Sequence, residues 1–250
     1  QVGVLALESA NDPALSQPYP LDTLGAETQG LIGYWLVQEF QNHLPDRMIA
    51  ALVTQTIVDA DDPAFGQPTK FVGPVYDEAE LRPIAEERGW AIAPDGDRWR
   101  RVVASPDPIR IVETPVIRLL LDGGALVVCA GGGGVPVLEG PDDALSGVEA
   151  VIDKDLTTAL LAEQLNADVF LVLTDVDGVQ RDFGTPQAER IATATADELR
   201  SASFAAGSMG PKIDAVCRFV DRTDGFAAIG SLADAPQLLT GERGTRITRT

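Results

Sequence analysis

The three lysines of this chain are rare among its basic residues, and each lies in a short segment suited to binding an anion. Of 19 basic residues only Lys70, Lys154 and Lys212 are lysines, and the others are arginines. An ammonium group is a compact point charge that can enter a crowded pocket, whereas a guanidinium group is a planar fork. Biased composition alone could leave three lysines. Their Gly-rich neighbourhoods in an acidic chain favour phosphate chemistry instead.

Four consecutive glycines follow an apolar run, Ala125–Ala130, that is predicted to be a buried strand. They are Gly131, Gly132, Gly133 and Gly134. Backbone N–H groups without side chains can approach a ligand closely and form an anion site. A flexible turn is the alternative, but four glycines are costly in entropy, which favours a loop that binds substrate. The spacing matches neither the dinucleotide-binding fingerprint nor the P-loop.

The run Asp153-Lys154-Asp155 opens a predicted helix. The helix dipole favours carboxylates at this end and disfavours a lysine. Simple capping by the two acids is therefore a serious alternative. A lysine between them is explained if it neutralises a bound polyphosphate. Asp155 would then hold the ammonium groups in position.

A second loop, Gly207-Ser208-Met209-Gly210-Pro211-Lys212, leads into another predicted helix. The N-terminus of a helix favours anions, and Lys212 would add a point charge. An ordinary loop-to-helix entry is the alternative. We expect Gly207, Ser208 and Met209 to contact a nucleotide.

Polar residues also follow the apolar strand predicted at Val169–Leu173, which we expect to be covered on both faces. Ligands of open α/β sheets bind beyond the carboxyl ends of strands. Thr174, Asp175 and Asp177 could therefore hold a nucleoside, with carboxylates facing the ribose hydroxyls. A plain turn is almost equally consistent with this segment.

The elements that must position these residues alternate between strands and helices. Such alternation predicts an α/β sandwich with a mainly parallel sheet. The helix expected at Thr23–His43 has Asp22 as a candidate N-cap and a broad apolar face that includes Leu24, Tyr34 and Trp35. The other predicted helices are Asp77–Arg88, Thr114–Leu121, Asp155–Asn166 and Lys212–Arg222, and the other predicted strands are Met48–Val53 and Ala227–Gly230.

One stretch, from Asp59 to Asp107, differs in composition and is rich in Pro, Asp, Gly and Arg. It contains a predicted hairpin, Trp90–Val103, around the turn residues 94–97. We expect residues 59–107 to form an insert or lid that projects from the core.

Composition excludes several classes of function. The formal net charge is −19, which disfavours binding to nucleic acid or to anionic membranes. Cys129 and Cys217 lie inside apolar stretches and suggest no disulfide framework, so a reducing cytoplasm is expected. With one histidine, His43, the chain offers no zinc constellation and no Ser-His-Asp triad, and a contact at a helix end accounts for that residue.

Read together, these segments resemble the carbamate kinases of the amino acid kinase family. The runs Gly147–Asp155 and Pro68-Thr69-Lys70 are specific to carbamate kinases, and Gly207–Lys212 is shared with the wider family. Further matching segments are Tyr19–Asp22, Leu24–Gly30, Gln55–Phe65, Gly73–Tyr76, Ala130–Gly134 and Leu173–Asp177.

The resemblance implies a three-layer αβα sandwich over residues 1–250, a homodimer, and phosphoryl transfer between MgATP and carbamate. Many members run in reverse, forming ATP from ADP and carbamoyl phosphate in arginine fermentation. Lys154 and Lys212 resemble the pair that neutralises the transferring phosphoryl group, and Asp155 resembles their organiser. Lys70 would reach in from the protruding subdomain, near the phosphoryl acceptor.

The chain departs from the family at its start. It begins at a Gln-Val-Gly that follows a strand, a helix and a strand in carbamate kinases, including two Gly-rich loops. A molecule without them is expected to have little activity. The alternatives are therefore an inactive or ADP-binding fragment and a kinase of another small carboxylate such as acetylglutamate, which the Pro-Thr-Lys insert disfavours. A purely structural interaction protein fits the three lysines poorly.

Overall fold

The chain forms two compact units, which the computed structural model describes over residues 2–12, 14–15, 18–201 and 209–249. Unit 1 is Gln1–Lys154 and unit 2 is Asp155–Thr250. Each contains helices and a parallel pair of strands, so the expected α/β class is confirmed. The proposed boundaries of a lid at residues 59–107 remain a prediction.

Unit 1 carries two helices at its start, α1 (Val2–Asn11) and α2 (Leu21–His43). The prediction of Asp22 as the N-cap of α2 is wrong, because the cap position is Pro20 and has no side-chain cap bond. The Leu21 N–H instead donates to Glu149 Oε2 at 2.9 Å. A carboxylate distant in sequence thus satisfies one of the unpaired N–H groups of the first turn.

The apolar face predicted for α2 is only partly buried. Leu24 is 1% exposed, whereas Tyr34 and Trp35 are 59% and 57% exposed. The helix therefore contributes its first turns to a core cluster with Ala6 and Val72. At the other end, His43 Nδ1 lies 3.0 Å from the Glu39 carbonyl oxygen, a contact at the helix terminus as expected.

The described part of unit 1 also contains α3 (Glu78–Arg88), α4 (Thr114–Asp122) and three sheets. The first pairs β1 (Ile49–Ala51) in parallel with β7 (Leu126–Val128). The second consists of β2 (Gln55–Ile57), β6 (Arg110–Ile111), β8 (Val135–Glu139) and β9 (Leu145–Gly147). Its strand order is β6-β2-β8-β9, and β2 and β8 are parallel. The expected buried strand at Ala125–Ala130 is shorter and only half-buried.

The third sheet is antiparallel and lies within the stretch of distinct composition. Its order is β3-β5-β4, formed by β3 (Lys70–Tyr76), β4 (Ala91–Asp95) and β5 (Arg98–Val103). The predicted hairpin is confirmed, with Gly96 in the left-handed region at φ 65°. Gly89 ends α3 in the same conformation, at φ 64°, as a C-terminal glycine does.

Unit 2 is built on a four-stranded sheet of order β10-β14-β15-β13. Its strands are β10 (Val169–Thr174), β13 (Thr193–Thr195), β14 (Phe226–Ser231) and β15 (Thr245–Thr248), and β11 (Gln180–Arg181) pairs with β12 (Glu189–Arg190) separately. The helices are α5 (Lys154–Leu165, whose first residue ends unit 1), α6 (Ala196–Ser201), α7 (Met209–Arg222) and α8 (Ala235–Thr240). A core of buried side chains from α5, α7 and the sheet holds these elements together.

The parallel pair β10 and β14 sets the direction of this sheet. Phe170 and Val172 of β10 are buried, whereas Leu173 is 38% exposed. The face of β10 that carries Leu173 is therefore less completely covered than the face that carries Phe170 and Val172. The neighbouring strand β14 is buried on both faces from Ala227 to Gly230.

None of the helices in the described part of the chain could span a bilayer.

Candidate active site

Lys212 and Asp155 form an ion pair inside unit 2. Lys212 Nζ donates to Asp155 Oδ2 at 3.0 Å, and the two side chains are only 12% and 10% exposed. Asp155 is the second residue of α5, where the helix dipole favours a carboxylate. Lys212 lies in the first turn of α7. Two helix N-termini thus present a largely buried ammonium group and its partner carboxylate, and the role of Asp155 in a reaction remains a prediction.

Lys70 and Asp153 form the corresponding pair inside unit 1. Lys70 is the first residue of β3, and its ammonium group donates to Asp153 Oδ2. The Asp153 side chain is 9% exposed and that of Lys70 is 36% exposed. Sequence reasoning did not select Asp153 as a site residue. The sequence signal that could have selected Asp153 is its position directly before Lys154, just as Asp155 lies directly after it.

Lys154 is the first residue of α5 and is exposed at the surface. Its neighbours in sequence, Asp153 and Asp155, are buried and carry the contacts to Lys70 and Lys212. Each of these carboxylates thus pairs with one of the predicted lysines within its own unit. The roles of the three lysines toward a substrate remain predictions.

The four-glycine loop adopts a backbone that requires glycine. Gly132, Gly133 and Gly134 have φ values of 72°, 101° and 86°. A Cβ on Gly133 would lie 2.2 Å from the Ile152 carbonyl oxygen, and one on Gly134 would lie 2.2 Å from Thr56 Oγ1. A Cβ on Gly132 would meet nothing within 4 Å. The loop is therefore packed tightly on one side and open at Gly132, and its contact with a ligand remains a prediction.

Buried polar side chains hold this loop in place. Thr54 N–H donates to Gln29 Oε1 at 3.0 Å, and Gln29 Nε2 donates back to the Thr54 carbonyl oxygen at 3.1 Å. The Thr54 hydroxyl accepts the Ala130 N–H at 2.8 Å, and the Thr56 hydroxyl donates to the Gly133 carbonyl oxygen at 3.1 Å. Gln29, Thr54 and Thr56 are each less than 5% exposed. These hydrogen bonds fix the backbone of the loop.

The predicted nucleoside residues lie at the carboxyl ends of parallel strands in unit 2. Thr174 ends β10 and is aligned with Ser231, the last residue of the parallel strand β14. The Thr174 hydroxyl donates to Asp175 Oδ1 at 3.0 Å, and Asp175 and Asp177 are exposed. This is the edge where open α/β sheets bind ligands.

The remaining predicted residues belong to the loop before α7. Met209 begins α7 and is half-buried. Gly207 and Ser208 lie outside the described residues. Their predicted contacts with a nucleotide are therefore not tested.

Both cysteines are free thiols, one in each unit. Burial raises the pKa of the Cys129 thiol to about 11, and the negative charge of Glu113 acts in the same direction. Burial likewise raises the pKa of Cys217 to about 11. Neither thiol is an activated nucleophile, because nucleophilic cysteines have lowered pKa values. The chemistry of the site therefore depends on its ammonium and carboxylate groups.

Comparison with known proteins assigns this arrangement to a family. Residues 46–229 match the model of the amino acid kinase family. The carbamate kinase of Rhizobium meliloti is 51% identical over 99% of this chain and 77% of its own length. That of Haemophilus influenzae is 48% identical over 100% of this chain and 80% of its own length.

Solved structures agree with the sequence relatives. Carbamate kinase from Giardia lamblia bound to citric acid superposes with a TM-score of 0.91 at 39% identity, covering 99% of this chain and 81% of that one. The same enzyme bound to AMP-PNP gives a TM-score of 0.86 at 38% identity, with the same coverage. The fold is therefore the amino acid kinase fold, as the resemblance implied. On these grounds the chain belongs to the carbamate kinases of the amino acid kinase family.

Proposed function

We propose that this chain is a carbamate kinase that transfers a phosphoryl group reversibly between MgATP and carbamate. The observation that carries the proposal is the Lys212–Asp155 pair, a nearly buried ammonium group held at two helix N-termini in a chain of this family. Identity of about half the residues over nearly the whole chain favours an enzyme over an inactive fragment. The related enzyme from Giardia lamblia has been solved with AMP-PNP bound.

Unit 2 is proposed to bind the nucleotide. Lys212 would neutralise the phosphoryl group that moves, and Asp155 would fix the direction of its ammonium group. Thr174, Asp175 and Asp177 would contact the nucleoside at the carboxyl ends of the strands, with Asp carboxylates accepting hydrogen bonds from ribose hydroxyls. Met209, the first residue of α7, would lie near the phosphates, and Gly207 and Ser208 are proposed to contact the nucleotide as well.

Unit 1 is proposed to bind the phosphoryl acceptor. Gly132 leaves open space beside a rigid loop, so backbone groups of residues 131–134 could approach carbamate or carbamoyl phosphate closely. Lys70 would place its ammonium group against the carbamoyl group. Lys154, exposed at the start of α5, would add charge toward the moving phosphoryl group.

The reaction requires charge stabilisation and positioning rather than a protein nucleophile. A carbamate oxygen attacks the γ-phosphorus of ATP, the bond from that phosphorus to the bridging oxygen breaks, and ADP leaves with the electron pair. In the reverse direction ADP attacks carbamoyl phosphate and carbamate leaves. Magnesium would arrive with the nucleotide, held mainly by its phosphate oxygens and water. The lysines would neutralise the remaining charge on the equatorial oxygens.

We infer a homodimer, with the exposed apolar side of α4 as the contact surface, because Val116 and Leu119 of that helix are 49% and 71% exposed. We also infer a cytoplasmic location, since both thiols are unpaired and disulfides form in oxidising compartments.

The test is ATP formation from ADP, Mg²⁺ and carbamoyl phosphate, read by a luciferase-coupled assay, together with calorimetric titration of ADP. We expect ADP binding and robust ATP formation, and carbamate should be a far better acceptor than N-acetylglutamate in the forward direction. ADP binding without ATP formation would instead indicate a nucleotide-binding module. Preference for N-acetylglutamate would indicate another small-carboxylate kinase.

A further inference from the structure

Asp153 is a nearly buried carboxylate that accepts a hydrogen bond from Lys70, and the proposed reaction does not use it directly. Burying a carboxylate is unfavourable unless it is paired and hydrogen-bonded. Lysine, in turn, carries its charge on a flexible four-carbon stem and loses considerable rotamer entropy when its ammonium group is held in one place. The rigidity of the two backbones decides whether this pair can position Lys70.

The backbones of the two residues are joined by a short path through unit 1. Lys70 is aligned with Val103 in the β3–β5 ladder. The next residue, Ala104, accepts a backbone hydrogen bond from Val151 at 3.0 Å. Val151 lies two residues before Asp153, and the Lys70–Asp153 bond closes the ring. Val103 and Ala104 are 6% and 8% exposed, so this path runs through packed structure.

The segment before Asp153 also packs against the loop of four glycines, residues 131–134. Ile152, immediately before Asp153, is 1% exposed, and its carbonyl oxygen occupies the space where a side chain on Gly133 would have to lie. The Thr56 hydroxyl holds the Gly133 carbonyl from the other side. The carboxylate of Asp153 is therefore supported by a rigid loop as well as by the sheet that carries Lys70.

We propose that Asp153 is a positioning residue that holds the Lys70 ammonium group in the orientation used in phosphoryl transfer. The inference rests on the proposed function of Lys70 at the carbamoyl group. Asp153 itself touches no reacting atom in this scheme. It acts through Lys70, so its removal should matter only while Lys70 is present.

Kinetics of Asp153→Asn test the proposal, because Asn keeps the size and removes the charge. We expect kcat/KM for carbamoyl phosphate to fall about 10- to 100-fold with KM for ADP unchanged within twofold. Lys70→Ala should lose at least as much, and the double variant should lose no more than Lys70→Ala alone. Asp153→Glu, which keeps the charge, should recover part of the activity. The matched control is Asp77→Asn, which removes an exposed carboxylate paired with Arg98 at 3.2 Å in the same unit. It should behave as wild type.

Losses that multiply in the double variant, or Asp153→Asn within twofold of wild type, would overturn the proposal. A fall in activity that merely follows a lower Tm, without the kinetic coupling to Lys70, would also overturn it.

A second readout needs no turnover. The chain has three lysines, so competitive acetylation with peptide mass analysis reports each one separately. Asp153→Asn should raise the acetylation rate of Lys70 several-fold relative to Lys212, because the carboxylate no longer shields that ammonium group. If the wild-type chain forms no ATP while Lys70 shows this change, the proposed function fails and the positioning of Lys70 by Asp153 stands. An unchanged Lys70 rate would show that Asp153 does not hold it.

Discussion

At the scale of single residues, the chemistry proposed for this chain depends on an ammonium group whose position is shared between two helices. Lys212 is held by Asp155 at 3.0 Å, and both side chains are largely removed from solvent. Lower effective dielectric strengthens the attraction of such a group for a phosphoryl oxygen. A carboxylate so close to the lysine also fixes its direction. The single charge of Lys212 is therefore the residue-level feature most directly open to test.

Replacing Lys212 is expected to abolish most of the activity. Lys212→Ala should lower kcat for ATP formation about 10²- to 10³-fold, the effect typical of a lost charge stabiliser. Lys212→Arg should restore little of it, because a planar guanidinium does not replace a compact ammonium group in a crowded site. The control is Arg222→Ala on the same helix, which removes an exposed cation paired with Glu163 at 3.0 Å. Equal losses in Lys212→Ala and Arg222→Ala would contradict the assignment.

The two thiols should be unreactive in the folded chain. With pKa values of about 11, each thiol has about 100-fold less thiolate at pH 8 than an unperturbed cysteine. Alkylation by iodoacetamide, followed by intact mass, should be slow at pH 8 and become rapid once the chain is unfolded in guanidinium chloride. Fast labelling of the native chain at pH 8 would show that the thiols are not shielded.

The raised pKa values of the two thiols also make the free energy of unfolding depend on pH. The folded state holds both thiol protons more tightly than the unfolded state, so the free energy of unfolding should fall as pH rises from about 9 to about 11. Replacing both cysteines by alanine should reduce this alkaline decrease, measured by denaturant unfolding at several pH values.

At the scale of elements, the glycine loop joins packing to function. Its backbone is fixed by Gln29, Thr54 and Thr56, and Gly133 packs directly on the residue before Asp153. Glycine is required there for two separate reasons, the positive φ values and the lack of room. Among the four glycines of this loop, Gly132 alone combines a positive φ with open space. The four glycines should therefore respond differently to substitution.

Alanine substitutions separate packing from ligand contact in this loop. Gly133→Ala should lower the free energy of unfolding by about 3 kcal/mol, because the methyl group meets the Ile152 carbonyl and the backbone is strained. Gly132→Ala should cost only about 1 kcal/mol, the strain of a left-handed alanine. Its larger effect should be a raised KM for carbamoyl phosphate. Thermal unfolding and steady-state kinetics measure the two, and equal destabilisation with no KM change would show that Gly132 faces no ligand.

At the scale of the whole molecule, the exposed apolar residues of α4 need an explanation. The helix buries Ile117 but leaves Val116 and Leu119 largely in solvent. Contiguous exposed apolar surface of this kind often marks an interface. A second copy of the chain would cover it.

If the proposed homodimer forms, light scattering should give a mass in solution of twice 26.5 kDa. Leu119→Glu should shift the species toward a monomer, because it introduces a charge at the proposed contact. Leu232→Glu is the matched control, since Leu232 is 68% exposed in unit 2 and belongs to no proposed contact. A monomeric wild-type chain, or a Leu119→Glu variant that stays dimeric, would contradict the proposal.

Local sequence signals were sufficient wherever the controlling interaction is close along the chain. Gly96 marked the turn between β4 and β5, because its positive φ value is set by the turn itself. The alternation of apolar runs predicted the α/β class, and the lysines with their Gly-rich neighbours predicted a phosphate-binding enzyme. The motif resemblance then identified the family.

Tertiary structure decided what depends on distant partners. Periodicity placed Tyr34 and Trp35 on an apolar face of α2, but it could not show that this part of the face is exposed. The N–H of Leu21 donates to Glu149, which lies 128 residues away in sequence, rather than to its neighbour Asp22. Asp153 forms an ion pair with Lys70, which is 83 residues away in sequence. Asp155 forms one with Lys212, which is 57 residues away. An Asp-Lys-Asp run by itself indicates a site that binds charged groups. Only the folded chain determines which carboxylate pairs with which lysine, because that pairing depends on packing between elements distant in sequence.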